Sequence, residues 1–397
     1  SKTGEAPVKN CRSPVRVPQQ RPDPYVYDSL IHHTHTPALA GEERKHRTMR
    51  FTNKTKKAGA VLALAASAAL LLSSCSSGGG DAADGGSDSG SGGSGASITF
   101  LPKNLGNPYF DTSSKGGKAA VEAFGGTFNE VGPTEATPDA QVSFINTATQ
   151  QGVGALAISA NDPKAICDAI NEARDNDVKV VTFDSDTSAD CRDLFVNQAD
   201  AAGIAQVQVD MITEQIGDKG EIAVLSAAAN ATNQNAWIDL MKEELEANHP
   251  DVELVEVVYG DDDDQTSFDK TAALLQTYPE LKGIVSPTTV GIAAAARYVS
   301  TSDAKGKVAE TGLGTPNQMR EYVEDGTVTE FALWNPEDLG YLTAYAANAL
   351  ASGEIEGKEG DTFEAGDLGE FTVGADGVVL LGDPFRFNAD NIGDFDF

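Results

Sequence analysis

The residues able to do chemistry stand where short apolar runs give way to polar or aromatic side chains. They are Lys103; Asn107, Tyr109 and Phe110; Asp184 and Asp186; Asn233 and Gln234; Pro287, Thr288 and Thr289; and Trp334. Asp184 closes the run Val180-Val181-Thr182-Phe183, and an acid there needs partners or a ligand. Asp186 reads equally as a ligand contact or as the cap of the following loop. Asn233 and Gln234 stand where a helix begins, so capping competes with ligand contact at Asn233. Tyr109, Phe110 and Trp334 present faces that either cover a ligand ring or fill the core. This is an inventory for recognition by hydrogen bonds, charge and stacking.

Catalysis is poorly provided for. Beyond residue 74 the only histidine is His249, and there is no nucleophile elbow, no His-x-x-x-His pair and no phosphate loop. A hydrolase using two carboxylates alone stays open on residue types. The run Asp261–Asp264 does not have the spacing of an EF-hand loop; it reads as an acidic turn before a helix, where negative charge is favourable. No cofactor and no metal are expected.

The elements that must position these residues alternate. Candidate strands are Ile98–Leu101, Gly126–Val131, Val153–Ile158, Val178–Phe183, Glu221–Leu225, Val252–Val258, Gly283–Val285 and Thr329–Leu333. Helical patterns lie near 108–124, 138–151, 163–175, 201–217, 234–247, 267–278, 290–299 and 337–352. Strands alternating with helices predict βαβ units and parallel sheets. About 300 such residues exceed one small core, which predicts an α/β chain of two lobes. In open parallel sheets ligands sit beyond the carboxyl ends of the strands, where the candidates lie.

The first 97 residues are of another kind. Residues 1–48 are rich in Arg, Pro and His without periodicity, and the first methionine is Met49; this stretch is expected to be an over-extended or non-native leader. Residues 49–74 have a basic start, an apolar run from Ala58 to Leu72 and small residues at the end, the pattern of a secretory signal. Leu72-Ser73-Ser74-Cys75 resembles the bacterial lipobox, which implies lipidation of Cys75 and a membrane anchor. Residues 76–97, almost wholly Gly, Ser, Ala and Asp, read as a flexible tether. The leader and signal hold 12 of the 29 basic and 5 of the 60 acidic residues, so the remainder has 17 and 55, a net charge of −38. Such acidity excludes nucleic acid and anionic membrane surfaces as partners and suits solubility outside the cell. Two cysteines remain beyond Cys75, Cys167 and Cys191, and in an oxidising compartment an even pair predicts a disulfide.

From Ile98 to Phe397 the blocks in order resemble the sugar-binding proteins of ABC importers, of the periplasmic-binding type with two Rossmann-like lobes and a hinge. Asn107-Pro108-Tyr109-Phe110 resembles the family's Asn-Pro-aromatic-aromatic segment, and Val180 to Asp184 the strand whose terminal Asp accepts from two sugar hydroxyls. Leu101-Pro102-Lys103, Phe183-Asp184-Ser185-Asp186-Thr187, Thr232 to Trp237, Ser286-Pro287-Thr288-Thr289 and Asn391 to Phe397 are similar to the rhamnose-binding and autoinducer-2-binding branch. That likeness makes Lys103, Asp184, Gln234 and Pro287 ligand positions in both. Autoinducer-2 proteins usually carry Asp where Asn233 stands and Ala where Thr289 stands, which favours a rhamnose-type ligand. In broader sugar-binders a second Asp lies where Gly314 stands; its absence is consistent with a deoxy sugar. The resemblance implies a non-enzymatic, monomeric, extracytoplasmic protein delivering a small sugar to an ABC permease. Autoinducer-2 or a pentose is the alternative ligand, and an extracellular glycosidase or a sensor-coupled binding protein the alternative function. It also implies three crossings, near Asn197-Gln198, Asn335-Pro336 and Gly377–Val379. The lobes would then be 98–197 with 337–378 and 198–336 with 379–397, the stretch from Phe385 packing back on the second.

Overall fold

The computed structural model describes residues 95–397. The expected leader, the expected signal, Cys75 and all of the expected tether before Gly95 lie outside the described residues. In chain order, the first part runs β1 (Ser97–Leu101), α1 (Pro108–Ala123), β2 (Thr127–Glu130), α2 (Pro138–Gln151), β3 (Ala155–Ile158), α3 (Cys167–Asp175), β4 (Lys179–Phe183) and β5 (Leu194–Asn197). The second runs α4 (Ala201–Ile216), β6 (Gly220–Ser226), α5 (Thr232–Asn248), β7 (Val252–Tyr259), α6 (Asp264–Thr277), β8 (Gly283–Ser286), α7 (Thr289–Ser300), β9 (Ala309–Gly312), α8 (Pro316–Glu324) and β10 (Glu330–Leu333). The last contains α9 (Pro336–Ser352), β11 (Thr362–Glu364), β12 (Glu370–Thr372), β13 (Val378–Leu380) and β14 (Phe385–Asn388).

Two parallel sheets form the two lobes. The first has the order β13-β5-β4-β3-β1-β2 and the second β7-β6-β8-β9. Beyond β9, a parallel bridge between Leu313 and Ala332 leads to β10, against which β14 pairs antiparallel. The chain thus passes between lobes after β5, after β10 and after β13, forming the three-stranded hinge. Strand β13 lies wholly in the first sheet, Leu380 opposite Asn197, so the last crossing follows Leu380 rather than Gly377–Val379. The returning β14 seals the second lobe by stacking Phe387 on Phe331, ring centroids 5.1 Å apart.

Local chemistry sets the helix starts that matter. Asn107 caps α1 by accepting from the Tyr109 N–H, and Asn335 caps α9 by accepting from the Glu337 N–H, each with proline at the first helical position. The two helices then touch backbone to backbone. A Cβ on Gly116 would stand 1.8 Å from the Glu337 carbonyl oxygen, and one on Gly340 1.8 Å from that of Ser113. Only glycine permits this approach, which draws the residues before each helix, Asn107 and Trp334, toward one place. In the same lobe a disulfide joins Cys167 to Cys191, Cα atoms 5.4 Å apart, across a separation of 24 residues. A loop of that size is worth about 3 kcal/mol, and it encloses β4 and Asp184.

One core residue breaks the apolar pattern. Glu310, in the middle of β9, is fully buried and neither carboxylate oxygen makes a geometrically sound hydrogen bond. Burial pushes its carboxyl well above the usual range, offset only in part by the Ala296 backbone, so it is held as the neutral acid. Glu310→Met keeps the volume and removes both unpartnered oxygens, and is expected to stabilise the fold by about 1–3 kcal/mol. The folded protein holds this proton more tightly than the unfolded chain, so wild-type stability falls as pH rises above the ordinary glutamate value. The gain from Glu310→Met should therefore be larger at about pH 8 than at about pH 5. Urea denaturation at both pH values reads the difference; equal gains would show that Glu310 is ionised in the fold.

Candidate ligand-binding cleft

The strand ends of both lobes converge on one cavity of about 370 Å³. From the first lobe it is lined by Lys103 beyond β1, Asn107, Tyr109 and Phe110 at the start of α1, and Asp184 beyond β4. The second lobe contributes Asn233 and Gln234 from the first turn of α5, and Pro287, Thr288 and Thr289 at the start of α7; Trp334 comes from the second crossing. Trp237, Asp262, Leu313 and Leu333 also line it.

Asp184 is the polar centre of the first-lobe wall. It is buried with φ of 61°, a left-handed conformation that Asp tolerates better than most residues. One carboxylate oxygen accepts from the Tyr109 hydroxyl at 3.0 Å and the other from the Ser159 hydroxyl at 2.8 Å. The Tyr109 hydroxyl in turn accepts from the Trp334 indole N–H at 2.9 Å. Burial first, and then the Asp184 charge, hold the Tyr109 phenol well above its usual range, so it stays a donor to the carboxylate. The Lys103 ammonium lies 3.8 Å from Asp184 and donates to the Asn233 side-chain carbonyl at 3.1 Å.

Two side chains are oriented by what they already bind. The Gln234 carbonyl oxygen accepts from the Ser226 hydroxyl and from the Ala227 N–H, both at 2.9 Å. That fixes the amide so that its NH2 group is the end left for the cavity. The Asn107 carbonyl oxygen is likewise spent on its helix cap, leaving an NH2 donor. Tyr109, Trp334 and Trp237 form an edge-on aromatic array, with centroids 6.2 Å apart for Tyr109–Trp334 and 6.0 Å for Trp237–Trp334. Across the cleft the lobes are bridged directly, by Lys103 to Asn233, by the Asn233 amide to the Asp184 carbonyl at 3.4 Å and by the Asn230 amide to the Asn161 carbonyl at 3.2 Å.

Of the expected ligand residues, Asp186 alone is placed elsewhere. Its carboxylate is gripped bidentately by Arg192, at 2.7 and 2.8 Å, and also accepts from the Thr182 hydroxyl. Arg192 reaches on to the Asp376 carbonyl at 2.7 Å, so Asp186 ties the end of β4 to the turn before β13. Four lining residues were missed by sequence reasoning, of which Leu313 and Leu333 read simply as buried core. Trp237 lies on the buried face of α5 and carries the ordinary signature of a core residue. Asp262 belongs to the acidic turn, and only its backbone conformation turns it inward. Gly314 does not line the cavity, yet a second carboxylate is supplied by Asp262. Among the described residues no cluster of His, Cys, Asp and Glu could hold a metal ion, and no helix is long and apolar enough to cross a membrane.

Two lobes of parallel sheet, a triple hinge and a polar, aromatic-walled cavity between them define a binding protein that holds a small molecule at its lobe junction. The periplasmic binding protein domain matches residues 98–355, and the chain belongs to that family, whose members are solute-binding proteins rather than enzymes. It is 56% identical to a sugar ABC transporter from Actinomyces odontolyticus, over 76% of this chain and 98% of that one, with a TM-score of 0.63. It is 41% identical to an ABC transporter solute-binding protein from Clostridium phytofermentas with bound L-rhamnose, over 76% and 98%, TM-score 0.73. To LsrB from Clostridium saccharobutylicum in complex with AI-2 it is 27% identical, over 76% and 99%, TM-score 0.71.

The placement of Asp186 separates stability from binding. Asp186→Ala strands the buried Arg192 guanidinium and is expected to cost about 3 kcal/mol in urea unfolding. Ligand affinity of the folded variant should stay within about twofold of wild type, because no contact of about 1 kcal/mol or more is removed from the cavity. A loss of affinity without a loss of stability would return Asp186 to the site.

Proposed function

We propose that this protein captures L-rhamnose, or a related neutral deoxy sugar, outside the cytoplasm for an ABC importer. The broader statement, that it is a sugar-binding protein of an ABC transporter, rests on its family and on the sugar ABC transporter relative. The observation that carries the choice of sugar is the relative of 41% identity with L-rhamnose bound. The cavity supports it chemically. Asp184 offers acceptors for ring hydroxyls, Lys103 and the Gln234 and Asn107 amides offer donors, and Tyr109 and Trp334 offer aromatic surface. Leu313, Leu333 and Phe110 provide apolar wall for a methyl group in place of a hydroxymethyl, a contact worth about 0.8 kcal/mol.

Transport by such a protein needs closure of the lobes on the ligand and recognition of the closed form by a permease. The cross-cleft bonds made by Asn233 and Asn230 are the contacts such closure would form. Lipidation at Cys75 would keep a monomeric protein near that permease, with the Gly/Ser segment as its tether.

Titration calorimetry of the purified protein with L-rhamnose, autoinducer-2, D-ribose and D-xylose tests the reading. Micromolar or tighter binding of L-rhamnose is expected. Asp184→Asn tolerates the left-handed backbone and should weaken binding about ten- to a hundred-fold, the worth of a charged hydrogen bond. Binding of autoinducer-2 alone would replace rhamnose with the ligand of the LsrB relative, and show that Asn233 and Thr289 admit it.

A further inference from the structure

Asp262 is an acid for which the fold makes unusual provision. Strand β7 ends at Tyr259, and the chain leaves it through Asp261 and Asp262, both left-handed, with φ of 55° and 51°. Two consecutive non-glycine residues in that region are uncommon and cost free energy. The turn is nonetheless firmly held. The Gly260 N–H donates to the Ser226 carbonyl at 2.8 Å and the Asp261 N–H to that of Ala227 at 3.1 Å. The neighbouring acids have ordinary surface roles, Asp263 capping α6 and Asp264 pairing with Arg297. Asp262 is instead turned into the ligand cavity.

Its orientation is bought at the expense of a helix cap. Thr288 is the N-cap residue of α7, yet its hydroxyl makes no capping bond and donates to Asp262. An N-cap hydroxyl left uncapped forgoes about 1 kcal/mol. That donation uses one carboxylate oxygen. No protein donor among the described residues reaches the other, and it is not sealed in the core. Burial pushes this carboxyl up, the Thr288 hydroxyl and the Lys103 charge draw it down, and the charges of Asp184 and Asp261 add to the rise.

Resting on the reading of this cavity as a sugar site, we propose that Asp262 is the second lobe's hydroxyl acceptor, so that the ligand is held by one carboxylate from each lobe. Asp184 receives hydroxyls from one edge of the ring and Asp262 from the other. A ligand lacking a hydroxyl on the second edge leaves Asp262 half-satisfied and binds more weakly. An anionic sugar meets two carboxylates against the single ammonium of Lys103, so the ligand class is the neutral polyhydroxylated ring.

The test is a double-mutant cycle in ligand and protein. Asp262→Asn tolerates the left-handed turn and keeps an oxygen for Thr288. Calorimetry of wild type and variant is run with L-rhamnose and its 2-, 3- and 4-deoxy analogues, and with L-mannose, D-ribose and D-xylose should rhamnose not bind. The expected result is a ten- to hundred-fold loss for Asp262→Asn on the bound sugar, about the worth of a charged hydrogen bond. One deoxy analogue should show no further loss, which identifies the hydroxyl received. Unchanged affinity in the variant, with wild type binding, overturns the role of Asp262 and leaves the sugar-binding reading intact. Wild type binding no sugar of the panel overturns both. Should Asp262→Asn fail to fold, Thr288→Val, which releases the carboxylate without removing it, carries the test: a several-fold loss supports the role and unchanged affinity rejects it.

Discussion

A charged group at the end of a buried, largely apolar strand is tolerated only where donors surround it, and much of the first lobe serves to surround Asp184. Its oxygens accept from Tyr109 and Ser159, and Tyr109 is steadied by Trp334. Those donors come from the start of α1, the end of β3 and the second crossing. A single carboxylate therefore ties together two βα units and the hinge. The glycine contact between α1 and α9 makes this possible, because it sets the Tyr109 and Trp334 segments within reach of each other. Satisfying the acid and shaping the cavity wall are one structural act.

The second wall obeys a different logic. There the polar groups are oriented by backbone turns and helix starts rather than by a buried charge. Gln234 is fixed by Ser226 and Ala227, and Asp262 by Thr288. Gln234 is bonded back to the end of its own strand β6, and Asp262 and Thr288 join the ends of β7 and β8, which flank β6, so this wall too presents its chemistry at the carboxyl edge of a parallel sheet. Asn233 belongs to both walls, since it meets Lys103 and the Asp184 backbone.

Much of this was legible in the sequence. The alternation of apolar runs with amphipathic stretches located the strands that position Lys103, Asp184 and Thr288, since parallel strands buried on both faces read as continuous apolar runs. Strand β9 escaped because Glu310 interrupts its pattern, and the fold accepts that acid only by keeping it neutral. Asp186 misled because its partner, Arg192, is reached around a loop whose path the sequence does not disclose. Asp262 was hidden by its neighbours. Asp263 is the helix cap that the acidic turn predicted, and nothing in residue type separates it from an adjacent Asp turned inward by two left-handed residues. Strand pattern survives translation into one dimension, whereas the direction of a turn does not.

The interleaving of the two lobes has a consequence for how the molecule comes into being. Strand β13 completes the edge of the first sheet, and α9 packs against that sheet, yet both are encoded after almost the whole second lobe. The second lobe in turn awaits β14, encoded after β13. Neither lobe can therefore be completed from its own first segment alone, because the strand that seals each one is encoded beyond most of the other. Non-local pairing of this kind is intrinsically slow. The two lobes are therefore completed together rather than one after the other.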